Sequence, residues 1–279
     1  MKVWYVLIFA MLVSGCWEKK KEEKTNLLNE SRQLVLDEIQ DIIDSSKVSG
    51  SVLIYDPQNL TYYSNDFEWA EKGKLPASTF KIPNSIIALE IGIVQDEKTI
   101  LKWDGERRNL KIWEQDLSFR DAFQYSCVPC YQEIARKIGE EKMSEFLTEL
   151  DYEKMVFDSN SIDWFWLVGE SAISQFQQID FLERFYNGKL PISERTISVM
   201  KRMMLLKNNG DYALSGKTGW SFYKEIDNGW FVGYVTKNNE VYYFATNIEP
   251  MESLNMELFP GLRKEITMEA LRRLEIIDY

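Results

Sequence analysis

Strand-forming runs lie at both ends of this chain and helical periodicity fills its middle, an arrangement that few folds satisfy. Gly50-Ser51-Val52-Leu53-Ile54-Tyr55 and Thr61-Tyr62-Tyr63 flank the turn Asp56-Pro57-Gln58-Asn59, which predicts a hairpin. Glu133 to Ile138, Glu141 to Leu150, Gln175 to Tyr186 and Glu194 to Leu206 space their apolar residues at helical period, with Gly139, Asp151 and Asn187-Gly188 as stops. Tyr212-Ala213-Leu214, Gly229 to Val235 and Val241 to Thr246 return to β-branched and aromatic residues, with Lys237-Asn238-Asn239 as the turn between the last two. Lys264 to Ile277 reads as a closing amphipathic helix. Strands from two termini must meet in one sheet. The expected fold is therefore α+β: an antiparallel sheet from both chain ends, flanked by helices and covered by a helical insertion.

Residues 1–15 stand apart from this pattern. Lys2, the apolar run Val3 to Val13 and Ser14-Gly15 form a signal-peptide pattern, and the run is too short to span a bilayer. Val13-Ser14-Gly15-Cys16 resembles the lipobox of bacterial lipoproteins, in which the cysteine becomes the lipidated first residue of the mature chain. Lipidation at Cys16 is the expectation, with export and membrane anchoring in the cell envelope; a plain cleaved signal or a buried cysteine is the alternative. Residues 16–30 are dense in Lys, Glu and Asn and read as a solvated tether, which leaves 31–279 as the folded domain.

The net charge is −11, and removing residues 1–15, whose only charge is Lys2, takes it to −12. Such a surface repels nucleic acid and also an anionic substrate, so a site for a carboxylated ligand needs local cations of its own. The chain has no histidine. That excludes the Ser-His-Asp triad, the Cys-His nucleophile pair and the H-E-x-x-H zinc helix. Cys127 and Cys130 alone lack two ligands for a closed structural zinc site, so no metal is expected.

Without imidazole, a serine nucleophile needs another base, and Ser78-Thr79-Phe80-Lys81 offers one. At spacing i, i+3 on a helix the hydroxyl and the amine share a face, which suits acyl transfer. Ser-x-x-Lys recurs at Ser198–Lys201 and Ser221–Lys224, but only the first copy follows Pro76-Ala77 and precedes Ile82-Pro83-Asn84 and the apolar Ile86-Ile87-Ala88-Leu89. Pro83 has no N–H to give an intrahelical bond, so the helix is predicted to start near Ser78. There the positive end of the helix dipole and the Ser78 N–H favour an oxyanion. The other two copies read as surface helix and loop.

Ser78-x-x-Lys81, Ser126-Cys127-Val128 and Lys217-Thr218-Gly219 follow one another in the order and at the separations that resemble the serine penicillin-recognising enzymes. Val128, Pro129 and Tyr131-Gln132-Glu133-Ile134-Ala135 look like class D β-lactamases, the oxacillinases. So do Phe165-Trp166-Leu167, Ile173-Ser174, Ser215-Gly216, Gly229-Trp230-Phe231-Val232-Gly233 and Leu262-Arg263-Lys264. The resemblance spans about residues 49 to 270. One segment departs from it: Tyr152-Glu153-Lys154 stands where the family commonly has Tyr-Gly-Asn. Ser46-Lys47-Val48 fits the second motif but precedes the nucleophile and reads as a loop. Class A is disfavoured, since the second motif, between the nucleophile and Lys217-Thr218-Gly219, is Ser126-Cys127-Val128 and not Ser-x-Asn.

The resemblance implies hydrolysis of the β-lactam ring through a Ser78 acyl-enzyme, with Lys81 carboxylated by carbon dioxide as general base and Trp166 donating its indole N–H to the carbamate. Burial among Val128, Trp166 and Leu167 is expected to depress the Lys81 pKa and leave the neutral amine that carboxylation needs. Ser126 would relay a proton to the leaving nitrogen, assisted by Lys217. Ser78 and Trp220 N–H groups would form the oxyanion hole, and Thr218 and Arg263, beside Gly219, would hold the ligand carboxylate. A non-hydrolysing β-lactam sensor and a penicillin-binding transpeptidase are the rival readings; oligomeric state is left open. Cys127-Val128-Pro129-Cys130 has the spacing of redox motifs, but small apolar positions in this pattern favour free thiols or an incidental disulfide.

Overall fold

The computed structural model describes residues 31–152 and 154–278. The signal peptide, Cys16 and the tether lie outside the described residues, as does Glu153 within the departing segment. Strand β1 (Arg32–Val35), helix α1 (Asp37–Ser45), β2 (Val48–Asp56), β3 (Thr61–Ser64) and α2 (Phe67–Glu71) lead to a 3-10 turn, Ala77–Phe80, continuous with α3 (Lys81–Glu90). The insertion holds the small pair β4 (Ile100–Leu101) and β5 (Leu117–Ser118), then α4 (Phe119–Gln124), α5 (Val128–Ile138), α6 (Glu140–Glu149), α7 (Gln175–Tyr186) and α8 (Glu194–Met204). The chain then adds β6 (Leu205–Asn208), β7 (Ala213–Tyr223), β8 (Ile226–Lys237) and β9 (Glu240–Pro250), and ends in α9 (Phe259–Arg273).

The main sheet has the order β1-β3-β2-β9-β8-β7-β6. Pairing of β2 with β9, Leu53 opposite Ala245, joins the two chain ends as predicted. The sheet is mixed rather than wholly antiparallel, because β1 runs parallel to β3. The chain reverses between β1 and β2 and again in the β2–β3 hairpin, so β3 emerges in the direction of β1.

Both faces of the sheet are covered, which explains why its strands read as nearly continuous apolar runs. Trp230, Val232, Tyr234, Tyr243 and Ala245 face the helical insertion. Phe231, Val235, Phe244 and Ile248 face Ile39, Ile42 and Ile43 of α1 and Ile266, Ala270 and Leu271 of α9. Burying one such side chain contributes roughly 2–3 kcal/mol. The β8–β9 turn holds Asn238 and Asn239 at φ 53° and 66°, where asparagine is tolerated best after glycine.

Candidate active site

Ser78 lies in the 3-10 turn, one step ahead of the α-helix the sequence predicts, and Pro83 is the third residue of α3, where a missing N–H leaves no intrahelical bond unmade. The predicted pairing holds: Lys81 Nζ lies 3.1 Å from Ser78 Oγ. Lys81 is 1% exposed, and burial pushes its amine down to about 7. Its Nζ sits 4.9 Å above the Tyr131 ring, whose hydroxyl lies 2.6 Å from Ser85 Oγ. In the neutral form, about half the population near pH 7, the amine lone pair can take the Ser78 proton.

The turn is fastened from three sides. Ala77 N–H donates to Trp166 O at 2.8 Å, and Lys74 exchanges backbone bonds with Ile173 at 3.0 and 2.9 Å. Trp230 Nε1 and Asn228 Nδ2 both donate to Leu75 O at 2.8 Å. Ala77 is held at φ 50°, a left-handed conformation that an alanine adopts only where its surroundings impose it.

Opposite the turn, β6 pairs with β7 no further than Ser215, so Lys217-Thr218-Gly219-Trp220 lies on an open sheet edge. Backbone groups on such an edge are free for a ligand. A Cβ on Gly219 would stand 3.1 Å from Pro76 O and 3.2 Å from Ser78 N, so glycine lets this edge approach the nucleophile turn without pushing its backbone aside. That approach brings the Trp220 and Ser78 segments together, as an oxyanion hole requires. Lys217 Nζ donates to Ser126 Oγ and, at 2.9 Å, to Thr218 O. The Lys217 amine is held well below its ordinary range by burial first, then by the charges of Lys81, Arg263 and Lys264. Arg263 and Lys264 are the local counterweight that an acidic chain needs to receive an anion.

Arg263 is 7% exposed and packs where Gly229 has no side chain: a Cβ there would lie 2.9 Å from Arg263 Cδ. Nε and Nη2 donate to Pro260 O, and Nη1 donates to Gly219 O. Among the described residues, one hydrogen each on Nη1 and Nη2 is left over. Burial lowers its guanidinium to about 10, which leaves it charged at neutral pH.

Trp166 is 1% exposed and stacks on Phe80 at 5.4 Å, and its Nε1 has no hydrogen-bond partner among the described residues. Val128 and Leu167 are half-buried. No cluster of His, Cys, Asp or Glu able to hold a metal occurs among the described residues.

This assembly matches known proteins over most of the chain. The family model of the penicillin-binding protein transpeptidase domain matches residues 49–258. β-Lactamase OXA-48 of Klebsiella pneumoniae is 42% identical over 231 residues, 83% of this chain and 85% of its own. The probable β-lactamase YbxI of Bacillus subtilis is 30% identical over 99% of both chains. The crystal structure of a class D β-lactamase from Sebaldella termitidis superposes with a TM-score of 0.84 at 38% identity, covering 89% of this chain and all of that one. The chain belongs to the class D β-lactamases. These are serine hydrolases, and the geometry above is the setting for that chemistry.

In this class D β-lactamase, the serine and lysine of each other Ser-x-x-Lys copy have other partners. Ser198 is exposed and takes a bond from Arg202, while Lys201 donates to Tyr186 O. Ser221 is not in a surface loop as expected but buried on β7 against Asn228, because the strand runs on to Tyr223, and Lys224 pairs in solvent with Glu170. Ser46 and Lys47 link α1 to β2. Lys154 of the departing segment has φ 62°, a conformation suited to asparagine. Cys127 and Cys130 form a disulfide, and Cys127 caps α5 directly after the α4 corner rather than after a strand. Sequence reasoning gave no role to Tyr131, Phe80, Trp230 or Asn228; Tyr131 and Trp230 were visible only as members of longer motifs.

Proposed function

We propose that this chain hydrolyses the β-lactam ring of penicillin-type antibiotics through an acyl-enzyme on Ser78, with Lys81 carrying a carboxylate as general base. The observation that supports this most is the Trp166 indole N–H: buried, a donor only, and unpartnered on a loop whose backbone grips the nucleophile turn. A carboxylate on Lys81, the residue after the Phe80 on which Trp166 stacks, is the kind of acceptor that N–H lacks, and an amine lowered to about 7 is neutral often enough to capture carbon dioxide. Such a group, when present, supplies the base for both acylation and deacylation.

The other residues divide the remaining work. Ser78 N–H and Trp220 N–H stabilise the oxyanion, and Ser126 passes a proton to the leaving nitrogen with Lys217 beside it. Thr218 and the two spare Arg263 hydrogens hold the substrate carboxylate next to Gly219. Val128 and Leu167 keep the base dry. Time-resolved mass spectrometry after one equivalent of penicillin tests the reading: an acyl adduct that appears and decays supports hydrolysis, and one that persists assigns the chain to a sensor or transpeptidase role.

We further propose export and lipid anchoring through Cys16, on the strength of Val13-Ser14-Gly15-Cys16 after an apolar run. No helix among the described residues is long and apolar enough to cross a membrane. Cys16→Ala is expected to move the protein from the membrane fraction to the soluble one. A wild type already soluble, with an unmodified N-terminus, contradicts the proposal.

A further inference from the structure

The disulfide between Cys127 and Cys130 follows Ser126 directly and encloses Val128, yet none of the chemistry above uses it. Ser126 holds φ 54°, a conformation disfavoured for serine that persists only where neighbours enforce it. On one side the enforcement is visible: Ser126 N–H donates to Phe123 O at 3.2 Å and Cys127 N–H to Ala122 O at 2.9 Å, closing the end of α4. On the other side Cys127 is the N-cap of α5, with φ −54° and ψ 101°, and its sulfur accepts the Cys130 N–H at 3.3 Å. The sulfur–sulfur bond closes that same turn covalently. A bridge within one regular helix would constrain little. This one ties a non-helical cap to the third residue of the helix, and so fixes the chain where the Ser126 corner ends and α5 begins.

We propose that the Cys127–Cys130 disulfide is a positioning element for Ser126 Oγ, and that opening it slows acylation selectively. The proposal rests on Ser126 as the proton relay; deacylation draws on Lys81 and does not need it. The bond is chemically accessible from one side. Cys127 is fully buried, whereas Cys130 is half-buried and lines a surface cavity of about 260 Å³ with Trp103, Trp113 and Arg136. A dithiol reductant attacks Cys130 Sγ as thiolate, forming a mixed disulfide and releasing Cys127 as a thiolate at the N-terminus of α5, where the dipole and the Cys130 N–H favour negative charge. The second thiol of the reductant then displaces Cys130. Two electrons and two protons reach the protein, and the reductant leaves as its own disulfide.

The test compares untreated and dithiothreitol-reduced enzyme by stopped-flow kinetics with benzylpenicillin, with thiols counted by mass after alkylation of a parallel sample. The expected result is acylation slowed about tenfold, deacylation unchanged, and recovery on reoxidation. Cys127→Ala/Cys130→Ala should match the reduced enzyme and ignore dithiothreitol. Two free thiols in untreated protein, equal acylation with and without the bridge, or equal slowing of both steps overturns the proposal. Ser126→Ala separates the underlying reading: if that variant acylates normally, the relay role fails whatever the disulfide does.

Discussion

Ser78→Ala is expected to take up no acyl group from penicillin while folding like the parent, with turnover reduced on the order of 10⁶-fold, as when the nucleophile of a serine hydrolase is removed. The hydroxyl is small, and the turn that carries it is held by Ala77, Lys74 and Leu75 backbone bonds that the substitution leaves untouched. Among the described residues, the one side-chain hydrogen bond of Ser78 is the bond it accepts from Lys81 Nζ. A buried amine that loses this one partner costs about 1–3 kcal/mol. Intact-protein mass after penicillin treatment checks it. Labelling that survives in Ser78→Ala, or vanishes only in Ser198→Ala or Ser221→Ala, contradicts the assignment.

Lys81→Ala is expected to leave hydrolysis negligible, since a positioned general base contributes about 10²–10⁴ to each step it serves and here serves two. The pH dependence follows from the sign of the shift. Burial lowers the Lys81 amine from 10.5 to about 7, so it is mostly neutral above pH 7 and mostly protonated below. Protonation removes the form that captures carbon dioxide, so activity should fall about tenfold per pH unit below 7 and return on adding bicarbonate at neutral pH. Trp166→Ala should slow deacylation more than acylation, because the acyl-enzyme must then wait for a base that loses its carboxylate readily. Single-turnover rates across pH 5 to 8 read out both effects. An acid limb that is missing, or a Trp166→Ala variant slowed only in acylation, contradicts the account.

Much of this was legible before the coordinates, and the parts that were not have physical causes. The helix Gln175–Tyr186 shows in sequence with its observed limits, because a Ser174 capping box opens it and Asn187-Gly188 closes it. The β8–β9 hairpin carries turn residues that match its backbone, and the β2–β3 hairpin shows through Asp56-Pro57-Gln58-Asn59 although Leu60 in it takes φ 47°. The tip between β7 and β8 does not: Lys224 and Glu225 adopt φ 51° and 64°, which their residue types rarely do, so nothing marked a hairpin there. Strand β1 is a short, largely exposed edge without alternation, and β6 continues the apolar spacing of α8 before turning into a strand at Leu205. At the site, Ser78 and Lys81 were readable because acyl transfer without histidine leaves few bases to choose from, whereas Ser126 and Lys217 were readable only through the resemblance of their motifs to the serine penicillin-recognising enzymes. Glycine at 219 was readable as a motif letter, but its reason, that a Cβ there would stand 3.1 Å from Pro76 O, exists only in three dimensions. The Ser126–Cys127–Cys130 corner was hidden for the same cause, since a cap and a bridge become a constraint only once α4 and α5 are placed.

The central claim is that Lys81 works as a carbamate rather than as a bare amine. Carbon-13 NMR of the enzyme equilibrated with labelled bicarbonate, run alongside a bicarbonate titration of activity, tests it most directly. The account predicts a carbamyl resonance that is absent from Lys81→Ala, fades in acid, and rises with bicarbonate in step with turnover. No carbamyl resonance, together with activity indifferent to bicarbonate, contradicts it and assigns the base role to the free Lys81 amine.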